Sequence, residues 1–174
     1  MRDSDQVRTA AATAFIAIVT ILAGCTPAPA AAPARESVEV TAVVDGDTIA
    51  VATAGGSTRV RLIGIDTPEI GRDGEPGDCY AEEARDFLDA LLYGKTVELI
   101  GDPTQADVDR YGRLLRHVLV DGQSAALTAL RAGAGYEYTF DTPYTDDQAH
   151  REAESAAEAA GAGLWSSCST APSS

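Results

Sequence analysis

Positive charge is scarce in this chain of 174 residues: 13 Lys and Arg stand against 27 Asp and Glu, for a net charge of −14. That balance argues against indiscriminate binding to nucleic acid or anionic membrane, and for solubility. Histidine is scarcer still. Only His117 and His150 occur, neither with a Cys or His partner at ligand spacing, so neither is assigned to chemistry and both read as ordinary strand and helix positions. No internal repeat appears, which removes solenoid architectures. The longest apolar run, from about Thr9 to Gly24, falls short of the roughly 20 residues a comfortable membrane-crossing helix needs. Cysteine is limited to Cys25, Cys79 and Cys168.

What is present begins with a processing signal. Arg2 and Arg8 precede the apolar run, which ends in Leu22-Ala23-Gly24-Cys25, a tetrapeptide that resembles the bacterial lipobox. Residues 1–24 are therefore expected to be a signal peptide and Cys25 the lipidated first residue. The protein would be exported, held on the outer face of the cell membrane as a lipoprotein or secreted, with the lipid anchor its only membrane contact. If the lipid takes Cys25, then Cys79 and Cys168 are left as an even pair in an oxidising compartment and are expected to form a disulfide. The Ala- and Pro-rich residues 25–37 cannot build a core and read as a tether, 38–168 as one domain, and 169–174 as a disordered tail.

Within 38–168 the pattern is strand-like first. Val38–Val44 is β-branched and half alternating, Asp45-Gly46-Asp47 is a turn, Thr48–Ala52 a second strand, and Thr58–Ile65, after Gly55-Gly56, a third. Beyond a loop at Ile70–Asp78, Ala84, Phe87, Leu88, Leu91 and Leu92 recur at helical spacing up to Gly94. Thr96–Ile100 and Leu114–Val120 are the fourth and fifth strands. Ser124 caps a short helix through Arg131, and Thr145-Asp146-Asp147-Gln148 resembles a capping box for a last Ala- and Glu-rich helix ended by Gly161 and Gly163. The order β-β-β-α-β-β-α-α fits the α+β class: a five-stranded OB-fold barrel with about three helices packed at one end.

The chemistry collects in Arg61-Leu62-Ile63-Gly64-Ile65-Asp66-Thr67-Pro68-Glu69, where Pro68 stops the ladder because it has no N–H to donate. Alternation puts Arg61 on the face of Ile63 and Ile65. A lone buried guanidinium is costly, so Arg61 either faces an anion at a barrel mouth or is tied into a structural ion pair with Asp66 or Glu69. Asp45, Asp47, Asp66 and Glu69 all lie at strand ends, a set of oxygens suited to a hard cation such as Ca²⁺ or Mg²⁺. Asp45-Gly46-Asp47 alone is more often just a turn, and it lacks the ligand ladder of an EF-hand.

Together these segments resemble the staphylococcal-nuclease-like (thermonuclease) family. The resemblance rests on Val44-Asp45-Gly46-Asp47-Thr48, Arg61 through Glu69, Asp109-Arg110-Tyr111-Gly112-Arg113, Tyr136-Glu137-Tyr138 and Gly163-Leu164-Trp165, in that order. It implies an OB barrel and a Ca²⁺-dependent extracellular nuclease, a monomer acting on single-stranded or fraying DNA, with RNA as a second candidate substrate, and leaving 3′-phosphates. It implies Asp47 and Asp66 as Ca²⁺ ligands with the backbone carbonyl of Thr67. It gives Glu69 as general base or organiser of the attacking water, Arg61 and Arg113 as the groups that grip the phosphate, and Arg110, Tyr111, Tyr136 and Tyr138 as nucleotide contacts. Trp165 reads as structural. The alternative is a non-catalytic OB-fold surface lipoprotein that binds nucleic acid or another ligand. The loop Gly71–Cys79 is net acidic where the family's type enzyme is lysine-rich, and Arg110 replaces a lysine, so weaker binding confined to the cleft is expected.

Overall fold

A computed structural model describes residues 35–168. The expected signal peptide, Cys25, most of the tether and the tail 169–174 lie outside the described residues.

β1 (Arg35–Asp45) is the strand around which the sheet turns. Its first half pairs antiparallel with β5 (Thr96–Ile100), from Arg35 against Ile100 to Glu39 against Thr96. Its second half pairs with β2 (Thr48–Thr53), with register irregularities between Val40 and Ala42 and between Val43 and Asp45 that let one strand serve both sides. Arg35–Ser37, read from the sequence as the end of the tether, belong to β1: they pair with the edge of β5, and Arg35 Nη1 adds an ion pair to Glu98 at 3.1 Å. β3 (Gly56–Leu62) lies beside β2, and its parallel pairing with β6 (Leu114–Val120), Val60 opposite Leu114, closes the five strands into a barrel. β7 (Gln123–Ser124) extends β6 as a short hairpin.

The expected third strand, Thr58–Ile65, is two strands. β4 (Gly64–Asp66) leaves the barrel and pairs with β8 (Tyr136–Tyr138), with Gly64 opposite Tyr138 and Asp66 opposite Tyr136. The break falls at Gly64, which has φ 85°, and where a Cβ would stand 2.3 Å from His150 Nδ1 and 2.7 Å from the Tyr144 ring. Only glycine allows both the left-handed backbone and that approach. Simple alternation fails across the kink, and Leu62, Ile63 and Ile65 are all buried.

The barrel interior holds Val40, Ile49, Val51, Val60, Leu62, Leu99 and Val118. Leu88 and Leu92 of α1 (Ala81–Leu92) and Leu130 of α2 (Ala125–Arg131) complete the same core. Fully burying such a side chain is worth about 1.5–3 kcal/mol. Ser124 caps α2 as expected, its Oγ accepting from Leu127 N–H at 3.2 Å. The capping box proposed before α3 (Asp147–Ala160) does not form. The N-cap is Asp146 in the left-handed region with no side-chain bond, because Thr145 N–H is taken by Asp102 Oδ2 at 2.7 Å and Gln148 Nε2 turns to Glu152 Oε1 at 2.9 Å. After α4 (Leu164–Ser167), Cys168 is joined to Cys79, as expected. The architecture is α+β, an OB-type barrel carrying helices.

Candidate active site

The site is assembled where the β1–β2 turn meets the end of β4. Gly46 has no room for a side chain: a Cβ would lie 2.8 Å from Thr67 Oγ1 and 2.9 Å from Ala84 Cβ, so the turn rests directly on Thr67 and α1. That contact aims Asp47 inward. Its Oδ1 accepts from Thr48 Oγ1 at 2.8 Å and its Oδ2 from Thr67 N–H at 3.3 Å. Arg61 Nη2 bridges Asp47 Oδ2 at 2.9 Å and Asp66 Oδ1 at 2.7 Å, while its Nη1 donates to the carbonyls of Leu62 at 2.8 Å and Ile65 at 2.5 Å. Both readings of Arg61 thus hold in part. It stands at the mouth of the barrel and is tied to carboxylates, Asp47 and Asp66 and not Glu69. Burial pushes the Asp47 carboxyl well above the usual carboxylate range; Arg61 pulls it down, and Asp45 alongside pushes it further up.

Glu69 is exposed on the loop after β4. Its backbone is fixed by a reciprocal pair of bonds with Asp78: Glu69 N–H donates to Asp78 Oδ2 at 3.1 Å, and Asp78 N–H to the Glu69 carbonyl at 2.9 Å. Cys79, next in the chain, carries the disulfide. Arg72 of the same loop lies 3.7 Å from Asp45.

The third piece is the turn before β6. Asp109 Oδ1 accepts the N–H groups of Tyr111 at 2.8 Å and Arg113 at 2.9 Å, and its Oδ2 accepts Arg113 Nε at 2.7 Å. Burial raises the Asp109 pKa, but these bonds from Arg113 and Tyr111 outweigh it and hold the carboxyl below its ordinary value. Arg113 Nη1 then reaches Thr48 Oγ1 at 3.2 Å. One chain of contacts, Arg113–Thr48–Asp47–Arg61–Asp66, therefore links the three pieces. Thr48 and Asp109 hold the site together and were not singled out from the sequence; their only signal was their place inside motifs already quoted.

A cleft of about 700 Å³ opens in front of this chain, lined by Arg61, Asp66, Glu69, Arg110, Arg113 and aromatic side chains. Tyr111 forms one wall, with Arg110 over its ring at 4.7 Å and Arg113 at 5.3 Å. Tyr138 forms another, 5.9 Å from the Arg61 guanidinium. Asp47 and Thr67 lie buried and do not line the cleft. Tyr136 does not line it either; it packs edge-on against Trp165 at 5.4 Å. That contact bears out a packing role for Trp165. His117 and His150 lie in hydrogen bonds to Asp102 and Tyr144.

A family profile described as staphylococcal nuclease homologue matches residues 59–167. The chain belongs to this family. It is 34% identical over 134 residues to an uncharacterized endonuclease of Escherichia coli O157:H7, covering 76% of this chain and 79% of the relative. It is 30% identical over 132 residues to the thermonuclease of Staphylococcus hyicus, covering 76% and 77%. An SPbeta prophage-derived endonuclease of Bacillus subtilis is 36% identical over 129 residues, 71% of this chain and 43% of the relative. Family membership and these relatives support a nuclease, a hydrolase of phosphodiester bonds.

For a member of this family the donor set can be tested against a calcium ion. Among the described residues no three Asp, Glu, His or Cys side chains converge closely enough to hold a metal unaided. Two carboxylates and one backbone carbonyl, with water completing the shell, is instead an all-oxygen set of the kind a hard, flexible cation accepts. Asp47 adds a specific reason: a carboxylate that burial disfavours as an anion despite an arginine beside it gains from further positive charge. In donor type, though not as a preassembled cage, Asp47, Asp66 and the Thr67 carbonyl suit Ca²⁺.

Proposed function

We propose that the protein is a Ca²⁺-dependent exported nuclease that cleaves single-stranded or fraying DNA, and RNA as a second candidate, to products ending in 3′-phosphates. The observation that carries this reading is the continuous chain from Arg113 through the buried Thr48 and Asp47 to Arg61 and Asp66, whose two ends and Arg61 open onto one cleft. It brings two acidic ligand candidates and two forked donors to the same place.

In this reading Asp47, Asp66 and the Thr67 carbonyl hold Ca²⁺, which when bound supplies Lewis-acid polarisation of a phosphoryl oxygen. Glu69, exposed on its loop, orients a water and takes its proton. Arg113, aimed by Asp109 and Thr48, presents its guanidinium to the phosphate oxygens on which charge develops. Arg61 exchanges one internal carboxylate bond for a phosphate oxygen as the substrate enters. Tyr111 and Tyr138 offer ring faces to bases, and Arg110 adds a cation at the Tyr111 wall. Export rests on the lipobox-like Leu22–Cys25 and is consistent with the Cys79–Cys168 disulfide.

The test is cleavage of single-stranded DNA by the purified protein with Ca²⁺ or with a chelator, alongside Glu69→Gln and Arg113→Ala, with the product ends mapped. Losing one such donor is expected to lower kcat by about 10²–10³. No Ca²⁺-dependent cleavage by the parent protein overturns the proposal. Failure of the parent to incorporate labelled fatty acid at Cys25 overturns the lipid anchor.

A further inference from the structure

Glu137, Tyr144 and His150 form a polar cluster behind the cleft that none of the assignments above uses. Glu137 lies on β8 opposite Ile65 of β4, between the exposed Tyr136 and Tyr138, and its own side chain turns inward with 11% exposed. Tyr144 and His150 are 4% and 2% exposed. An aliphatic residue would fill that inward position without desolvating a charge. The carboxylate is instead held by directed bonds: its Oε1 accepts from Thr139 Oγ1 at 2.6 Å and from Tyr144 Oη at 2.9 Å, and Arg151 Nη1 lies 3.9 Å from Oε2.

Counting protons gives the cluster a direction. The Tyr144 hydroxyl is within reach of three groups, Glu137 Oε1 and His150 Nδ1 at 2.9 Å each and the Gly64 carbonyl at 3.3 Å, but has one proton to give. Burial, and then Glu137, hold its pKa above the ordinary value, so the proton stays and goes to the carboxylate, the nearer and charged acceptor. Burial, and then His117, lower the His150 pKa, so its ring is neutral with a single N–H. Tyr144 Oη and the Gly64 carbonyl are both acceptors, which places that proton on Nδ1, facing the two of them. The cluster thus runs from Glu137 through Tyr144 and His150 and ends on the Gly64 carbonyl.

Gly64 is the kink at which the chain leaves the barrel, and it has no side chain of its own to hold it. The Tyr144 ring fills the space above it, 2.7 Å from where a Cβ would stand. The next two residues are the ones that aim Arg61: the Ile65 carbonyl accepts from Nη1 at 2.5 Å, and Asp66 Oδ1 from Nη2 at 2.7 Å. A shift of the kink therefore moves both acceptors together and turns the fork. We propose that Glu137 is a positioning residue: acting through Tyr144 and Gly64, it fixes where Ile65 and Asp66 point the Arg61 guanidinium as it meets the substrate phosphate. The inference rests on the nuclease reading for the role of Arg61.

The test compares the parent with Glu137→Ala, Glu137→Gln and Tyr144→Phe on single-stranded DNA, at a temperature where all forms are folded. Tyr144→Phe keeps the ring over Gly64 and loses only the hydroxyl, so it serves where Glu137→Ala does not fold. In both, kcat is expected to fall about 10- to 100-fold with KM little changed, as for a group that supports a reacting one from behind. Glu137→Gln, whose amide oxygen still accepts from Tyr144, should stay within a few-fold of the parent. Val38→Ala, in the core at the far end of β1 from Asp45, is the control for lost stability alone and should keep the parental kcat. A reading independent of cleavage is rotation of the Arg61 guanidinium about Nε–Cζ, followed by NMR exchange between its Nη protons and assigned with Arg61→Lys. It is expected to be several-fold faster in Tyr144→Phe than in the parent and parental in Val38→Ala. A parental kcat in Tyr144→Phe, a loss in Glu137→Gln as deep as in Glu137→Ala, an equal loss in Val38→Ala, or an unchanged rotation rate overturns the positioning role. Absence of cleavage by the parent overturns the nuclease reading instead, and the rotation rate still decides whether Glu137 and Tyr144 hold Arg61.

Discussion

The disulfide is expected to serve stability and catalysis through one anchor. Cys79 and Cys168 are 89 residues apart in sequence, and closing a loop of that length lowers the entropy of the unfolded chain enough to contribute about 4–5 kcal/mol. For a domain of this size, at roughly 3–5 °C per kcal/mol, Cys79→Ala with Cys168→Ala should lower Tm by about 12–25 °C. The second effect follows from position. Cys79 adjoins Asp78, whose carboxylate and N–H hold the Glu69 backbone from both sides. Freed of the cross-link, Asp78 defines Glu69 less sharply, and a rise of about 1.4 kcal/mol in the barrier lowers kcat about tenfold. Thermal melts of the parent, the double variant and the parent with reductant measure the first effect. Steady-state kinetics at a temperature where all forms are folded measure the second. Asp78→Ala, which keeps the cross-link, should lower kcat several-fold while moving Tm by only a few degrees. A double-variant Tm within about 3 °C of the parent refutes the stability argument, and an unchanged kcat in Asp78→Ala refutes the positioning of Glu69.

Stability should also fall with acid through His150, which is 2% exposed and accepts or donates at 2.9 Å to the Tyr144 hydroxyl. Burial first, then the neighbouring His117, pushes its pKa below the ordinary 6.5. The folded state therefore resists a proton that the unfolded chain takes up, so the stability is complete above pH 6.5 and is lost as pH falls toward the lowered folded value. Because the raised Asp47 carboxyl acts with the opposite sign in the parent and the variant alike, the quantity to read is the stability difference between the parent and His150→Gln, which should shrink by up to about 1.4 kcal/mol per pH unit as denaturant unfolding is taken from pH 7.5 to 5; a pH-independent difference refutes it. Salt dependence tests the confinement of binding to the cleft. With Arg61, Arg113 and Arg110 as the phosphate contacts, the logarithm of affinity for single strands should fall with the logarithm of salt at a slope of about −1.5 to −2, and a slope several-fold steeper refutes confinement.

The barrel was legible because its strands carry their own signals, β-branched runs bounded by Asp-Gly and Gly-Gly, and because the core helix repeats at 3.6. What escaped depended on distant partners. Gly64 reads as an ordinary strand glycine until Tyr144, 80 residues on, and His150 fill the space over it. The capping box at Thr145 is locally sound but loses its N–H to Asp102, 43 residues earlier. The site divides in the same way. Residue chemistry alone left Arg61 open between phosphate and ion pair, and the roles of Asp66, Glu69 and Arg113 came from family resemblance. Tyr136 and Tyr138 sit two residues apart in one motif, and only the packing of Trp165 separates the residue outside the cleft from the one inside it. Asp78 carried no local signal, since its partner is a backbone group nine residues away.

The acidity that counted against nucleic acid at the outset becomes intelligible once the arginines are located. Arg35 pairs with Glu98, Arg85 with Glu82 and Asp86, Arg116 with Asp107, and Arg151 with Asp147. Each sits in contact with an opposite charge, well inside the roughly 8 Å over which physiological salt screens, so these cations project little field outward. The cleft arginines are treated differently. The carboxylates on Arg61 and Arg113 come from the site itself and fix the direction of each fork, while Arg110 leans on the hydroxyl of Tyr111, not on an acid. A polyanion therefore meets repulsion over most of the surface and a few oriented donors at one opening. Under that arrangement a duplex gains little by lying along the protein, whereas a loose strand that threads its phosphate between Arg61 and Arg113 and its bases onto the aromatic walls gains both charge and stacking. In the proposed function, selection for unpaired strands would arise from the acidic surface as much as from the cleft.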